Sequence, residues 1–211
     1  MPCYNDKMLL NYDETRCEGK FDIPTLEPVD VVPYDMIPFN YARSWKFRKG
    51  CVHFFLDDYQ FERVWNRPEE NIRLLSEYDC CLTPDFSLYR DMPRAMMIWN
   101  VYRSRLFGQM CQDYGLTVIP TIQFSTRATS FDFCFDGLPT GGTVALSSVG
   151  VCGDKIAMGM FEEGSKEMLD RVKPKTVLFY GKNIIPHLIP DDVRIVEYKS
   201  FSQKQFRIQK G

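Results

Sequence analysis

Histidine is almost absent from this chain: of its 211 residues only His53 and His187 carry an imidazole. A Ser-His-Asp triad or a multi-histidine metal centre has little to draw on. His53 sits inside the apolar run CVHFFL and reads as a core residue rather than a base. The eight cysteines, Cys3, Cys17, Cys51, Cys80, Cys81, Cys111, Cys134 and Cys152, form no C-x-x-C pair, so no zinc-ribbon spacing exists. G-x-S-x-G, G-x-x-x-x-G-K-[ST] and G-x-G-x-x-G are missing as well. The longest apolar runs, VHFFL and TVALSSVGV, are too short to span a bilayer. The first residues lack a basic segment followed by an apolar one, so no secretory signal is expected. Neither sign of charge dominates: 26 Lys and Arg face 28 Asp and Glu, a net charge of −2. No global field therefore recruits nucleic acid or membrane.

What is present suits one sizeable core, with 45% hydrophobic and 14% aromatic residues. Cys51, Cys80, Cys81 and Cys134 lie in apolar runs, where cysteine acts as a small hydrophobe, and a reduced, cytoplasmic setting is expected. Residues 1–28 read as an N-terminal arm packed on the outside, 29–200 as a single α/β domain, and 201–211 as a basic C-terminal tail.

From Val29 onward short apolar runs alternate with amphipathic helices. Strands are expected at VDVVPYD, CVHFFLDD, YDCCLTP, LTVIPTIQFS, GGTVALSSVG, KTVLFYGK and VRIVEYKS. Helices are expected from Tyr59 to Glu77, broken at Pro68, from Pro93 to Gly115, and from Lys155 to Val172. In the second helix, Met96, Trp99, Arg103, Leu106 and Met110 fall on one line. The expected fold is α/β, a mostly parallel sheet of six to seven strands in βα units, either open and doubly wound or an incomplete TIM-barrel-like arrangement. A full barrel takes about 250 residues, more than this chain has.

Ligands of parallel α/β sheets bind beyond the carboxyl ends of the strands. The strand ends offer Asp57, Asp58 and Asp85 as candidate catalytic carboxylates, which could divide acid and base roles or hold a divalent metal. Strand-end aspartates also serve as plain helix caps. The same rim supplies Ser87, Gln123, Ser147, Gly150 and Lys182 as ligand-binding candidates, and Arg103 and Arg105 are ligand-binding candidates as well. GVCGDK and Gly181-Lys182 precede helical segments, where backbone amides receive anions; ordinary loop glycine is the plainer use. Arg43, Trp45, Lys46, Arg48 and Lys49 interleave cations with aromatics, a pattern that fits nucleic-acid contact as well as a solvated rim.

The stretch SFDFCFDG alternates Phe131, Phe133 and Phe135 with Asp132, Cys134 and Asp136. Read as a strand, it shows an aromatic face and a face with two aspartates and a thiol. Asp132 is a further candidate catalytic residue, with Arg103 or Arg105 as its expected ion-pair partner.

PDFS, the helix end YRSRLFG, VIPT, SFDFCFDG and VALSSVG resemble, in order and spacing, a bacterial and phage domain family of unknown function. The resemblance covers about residues 29–185. It implies a cytoplasmic protein encoded by phages or mobile elements of Gram-positive bacteria, and supplies no mechanism. Two roles follow: binding or acting on a phosphate-bearing ligand, a nucleotide or nucleic acid, at the strand ends; or non-enzymatic binding of a host or defence protein. A carbohydrate hydrolase using paired carboxylates is a third, weaker fit.

Overall fold

The computed structural model describes residues 11–200. A two-stranded antiparallel hairpin, β1 (Cys17–Glu18) and β2 (Ile23–Pro24), comes first. Four parallel strands follow: β3 (Met36–Pro38), β4 (Cys51–His53), β5 (Cys80–Leu82) and β6 (Val118–Ile119). A second parallel sheet holds β7 (Thr143–Ser147), β8 (Thr176–Tyr180) and β9 (Arg194–Tyr198). The strands thus divide between a four-stranded and a three-stranded sheet rather than forming one ladder of six or seven. A single parallel bridge, Thr121 to Ala145, connects the two. The order within each sheet follows the chain, as successive βα units require.

The helices are α1 (Phe39–Ala42), α2 (Arg63–Asn66), α3 (Pro68–Leu75), α4 (Arg94–Asp113) and α5 (Lys155–Val172). Pro68 opens α3, since a proline at the first position loses no helical hydrogen bond. Asp154 caps α5 by accepting from the amides of Ile156 and Ala157, and Lys173 in the left-handed region, at φ 47°, ends it. Both ends coincide with the sequence expectation. β7 and β8 are buried almost throughout, as parallel strands covered on both faces should be.

Three expectations fail, each for a local reason. VDVVPYD is not a strand; β3 begins only at Met36. Pro28 and Pro33 have no amide to give a ladder, and the segment runs as a strap instead. Val29 accepts from Thr143 N at 2.7 Å, and Pro33 accepts from the Tyr198 hydroxyl at 2.5 Å. SFDFCFDG is not a strand either. Phe133 N and Cys134 N both donate to Ser130 O, so the segment coils into turns. Phe131 and Phe135 then meet edge-on at 5.6 Å, a four-residue spacing, while Phe133 packs on Phe21. All three phenylalanines and Cys134 are buried. On α4 the expected line divides: Met96 and Trp99 are exposed, Arg103, Leu106 and Met110 are buried, and from Arg103 to Cys111 every residue is buried.

Two apolar clusters form the core. One fills the space around β3–β6 and α3; the other lies between β7–β9, α5 and the phenylalanine turns. Ile23 and Leu26 of the N-terminal arm are also buried. The expected basic tail, 201–211, lies outside the described residues.

Candidate functional site

Parallel pairing puts the carboxyl ends of β5, β6 and β7 on one side. The loops leaving them, with the first turns of α5, enclose a cleft of about 470 Å³. Asp85, Ser87, Gln123, Ser147 and Gly150 line it, so five of the rim candidates converge as the strand-end rule requires. Its apolar walls are Phe86, Leu88, Ile122, Phe124, Leu146 and Phe161. Nothing in the sequence marks Phe124 or Phe161 as walls, because an aromatic in an apolar run looks the same whether it faces core or cleft.

Asp85 stands out chemically. Burial pushes its carboxyl up to about 7, Asp58 adds to the rise, and Arg105 opposes it. Part of the residue still faces the cleft. No donor among the described residues hydrogen-bonds the carboxyl. It is therefore able to give or take a proton near neutral pH.

Asp58 buttresses the site from below. It accepts from the Ser87 hydroxyl at 2.8 Å and from Ser87 N at 3.2 Å. Ser87 O in turn accepts from Asn100 Nδ2 at 2.7 Å. Arg103 is drawn into the same layer. It donates to Asn100 at 3.0 Å and to Glu62 at 2.6 Å, with its guanidinium 3.5 Å from the centre of the Phe86 ring. These links fix the β5 loop that carries Asp85.

Arg105 is fully buried and forms no ion pair with a carboxylate among the described residues. Its contacts are long: Cys134 O at 3.2 Å, Asp136 O, Thr121 O and Gln123 Oε1 at 3.4 Å. Burial pulls its pKa down to about 10. Gln123, held by Arg105 at one end, donates to Phe86 O at 2.6 Å at the other. Arg105 thus ties the phenylalanine turns to the cleft wall. Its expected partner Asp132 lies elsewhere. Asp132 is exposed and pairs with Lys20 at 2.8 Å and with Arg94. Burial opposes its ionisation, but these two cations outweigh it and hold the carboxyl below its usual range. Asp132 does not join Asp85.

Other candidates fall away from the cleft. Asp57 is exposed, and its carboxylate accepts a 3.3 Å contact from Gln60 Nε2. Lys182 is exposed and does not line the cleft. The α5 N-terminus already holds the carboxylate of Asp154, at 2.7 Å from Ile156 N, in the place an anion would take. No lysine or arginine lines the cleft among the described residues. Nor does any group of three or more His, Cys, Asp or Glu side chains among them suit a metal ion, so the donor set for a rim metal does not fit. The seven described cysteines are free thiols. Arg43, Trp45, Lys46, Arg48 and Lys49 precede β4 and so sit at the opposite, amino end of the strands.

The profile of a domain of unknown function, DUF4417, matches residues 15–199. The chain belongs to the DUF4417 family. Two relatives are the "Gene 1 protein" of Mycobacterium phage D29 and that of Mycobacterium phage L5. The first is 44% identical over 184 residues, covering 86% of this chain and 66% of the relative. The second is 42% identical over 184 residues, covering 86% of this chain and 78% of the relative. The phage character expected from the motifs is thus found in the relatives of this DUF4417 chain. No solved structure matches it. No described helix is long and apolar enough to cross a membrane.

Proposed function

We propose that this is a phage-encoded protein whose cleft binds the base of a nucleotide, with any phosphate left at the mouth. One observation carries the reading: Asp85, with a carboxyl held near 7 and no internal donor, opens into an aromatic-walled cleft. A flat heteroaromatic ring suits Phe86, Phe124 and Phe161, and its ring N–H or amino group supplies the donor that Asp85 lacks. The lack of a lining cation argues against phosphate inside. Lys155, at the start of α5, and Lys182, after β8, are two of the cations on the same side.

The two sheets also read as one incomplete barrel. The Thr121–Ala145 bridge joins them on one side. On the other, the ring of His53 in β4 meets that of Tyr180 in β8 at 4.3 Å, and Tyr198 of β9 reaches the strap before β3. Such curvature gathers the strand ends around one cleft.

The test is thermal unfolding with nucleosides and nucleotides, for the native chain and for Asp85→Asn. A ligand at a hundred times its Kd stabilises the fold by about 2.7 kcal/mol. A shift with one base, retained by its nucleoside and lost in Asp85→Asn, is the expected result. No shift with any base at millimolar concentration overturns the reading. A second reading, docking of a host or defence protein over the cleft, draws on the exposed Tyr89 and Val149 at its mouth. Loss of host-protein binding on Tyr89→Glu with nucleotide binding intact would favour it.

A further inference from the structure

At the amino ends of β3, β4 and β5, opposite the Asp85 cleft, lies a second and larger cavity of about 760 Å³. Its walls come from Tyr34 and Asp35 before β3, from the loop Trp45–Lys49 before β4 and from Asp79 before β5. That loop is held firmly. Trp45 packs on the first apolar cluster. Arg48 is committed inward, 3.0 Å from Glu77 and 2.6 Å from the Tyr78 hydroxyl. Gly50 N donates to Asp79 and Met36 N to Asp35, each at 2.8 Å, so both lining carboxylates hold a backbone amide. Outward, beside the carboxylates Asp35 and Asp79, stand aromatic rings and ammonium groups. Tyr34 is 92% exposed and Phe47 77% exposed. Lys46 and Lys49 are exposed and form no ion pair among the described residues.

Aromatic rings left in water on a fixed loop cost free energy unless something covers them. Rings alternating with unpaired ammonium groups match a strand of bases and phosphates: the faces stack and the cations meet the backbone. A protein partner would want a contiguous apolar patch, whereas here Lys46 and Lys49 interrupt it. A duplex offers no base faces. We propose that this cavity is a binding site for single-stranded nucleic acid, with Tyr34 and Phe47 stacking on bases and Lys46 and Lys49 contacting phosphates. The site is separate from the nucleotide-base cleft and does not depend on it.

Fluorescence anisotropy of a labelled 12-nucleotide oligothymidine against the full chain tests this. Native protein is expected to bind, with affinity falling as salt rises. Phe47→Ala should weaken binding at least five-fold, and Lys46→Glu with Lys49→Glu at least ten-fold with a shallower salt slope. Both sets replace exposed side chains, so melting temperatures should stay unchanged and confirm folding. Asp85→Asn should bind like the native chain, which separates this site from the cleft. Absence of binding at 100 µM protein and low salt, equal affinity for duplex, or binding unaltered in both variants would each overturn the proposal.

Discussion

Asp85 is the residue on which the cleft turns, and its ionisation is linked to stability. A free aspartate ionises near 3.9, whereas burial and Asp58 hold this one near 7. Between these values the unfolded chain has released the proton and the folded chain has not. Stability therefore falls as pH rises through that window, and the whole penalty is present above about 7. Asp85→Asn removes the charge. It should raise stability by about 2 kcal/mol at pH 8, a figure halved to allow for the exposed part of the group. At pH 4 it should change little. Urea midpoints at pH 4, 6 and 8 measure this, and an equal gain at all three would show that Asp85 ionises normally. Arg105 gives the complementary case. Arg105→Met leaves four buried acceptors, among them Cys134 O and Gln123 Oε1, without their donor. A loss of about 3 kcal/mol is expected, since breaking a buried charged network strands its partners. Lysine should not rescue it, because one ammonium cannot span the same acceptors.

At the scale of elements, packing against α5 shapes the cleft wall. A Cβ on Gly164 would lie 2.3 Å from the Phe124 ring. Gly164→Ala should push Phe124 toward the cleft, weaken ligand binding and cost about 1–3 kcal/mol. A crystal structure or ligand titration of this variant decides it; unchanged affinity would mean that Phe124 is not a working wall. Gly137 shows the same dependence on backbone. It has φ +75°, and a Cβ there would meet Pro24 O at 2.2 Å, so Gly137→Ala should unseat the β1–β2 hairpin. The elements that were legible from sequence are those whose signals are local. α5 could be bounded because an Asp cap and an apolar period sit within its own residues. β4, β5, β7, β8 and β9 could be located as apolar runs. SFDFCFDG could not, because a phenylalanine at every second position satisfies a strand and, at positions 131 and 135, a helical turn equally well. Ser130, accepting the amides of Phe133 and Cys134, decides for the turn. The five converging rim residues were legible from the strand-end rule alone. The Asp58–Ser87–Asn100 chain was not, since nothing within 13 or 29 residues of sequence records that those side chains meet.

For the whole molecule, the N-terminal arm shows how far integrity depends on residues remote from the cleft. Ile23 is fully buried in the second apolar cluster, and Leu26 is nearly so. Gln109 of α4 donates to Arg16 O and Thr25 O, and Arg16 pairs with Asp113 at the helix end. The hairpin also meets the phenylalanine turns, through Glu18 accepting from Gly137 N at 2.5 Å. Those turns hold Arg105, and Arg105 holds Gln123 in the cleft wall. The family match begins at residue 15 and so includes this hairpin. A chain starting at Val29 is therefore expected not to fold cooperatively. Ile23→Ala is the milder probe: removing a buried isoleucine costs about 2–5 kcal/mol. For a chain of this size that lowers the melting temperature by roughly 4–20 °C. Because the hairpin bears on the cleft indirectly, through the turns and α4, ligand affinity measured well below the melting temperature should change less than three-fold. A large loss of affinity in Ile23→Ala that is still folded would mean that the arm shapes the site directly.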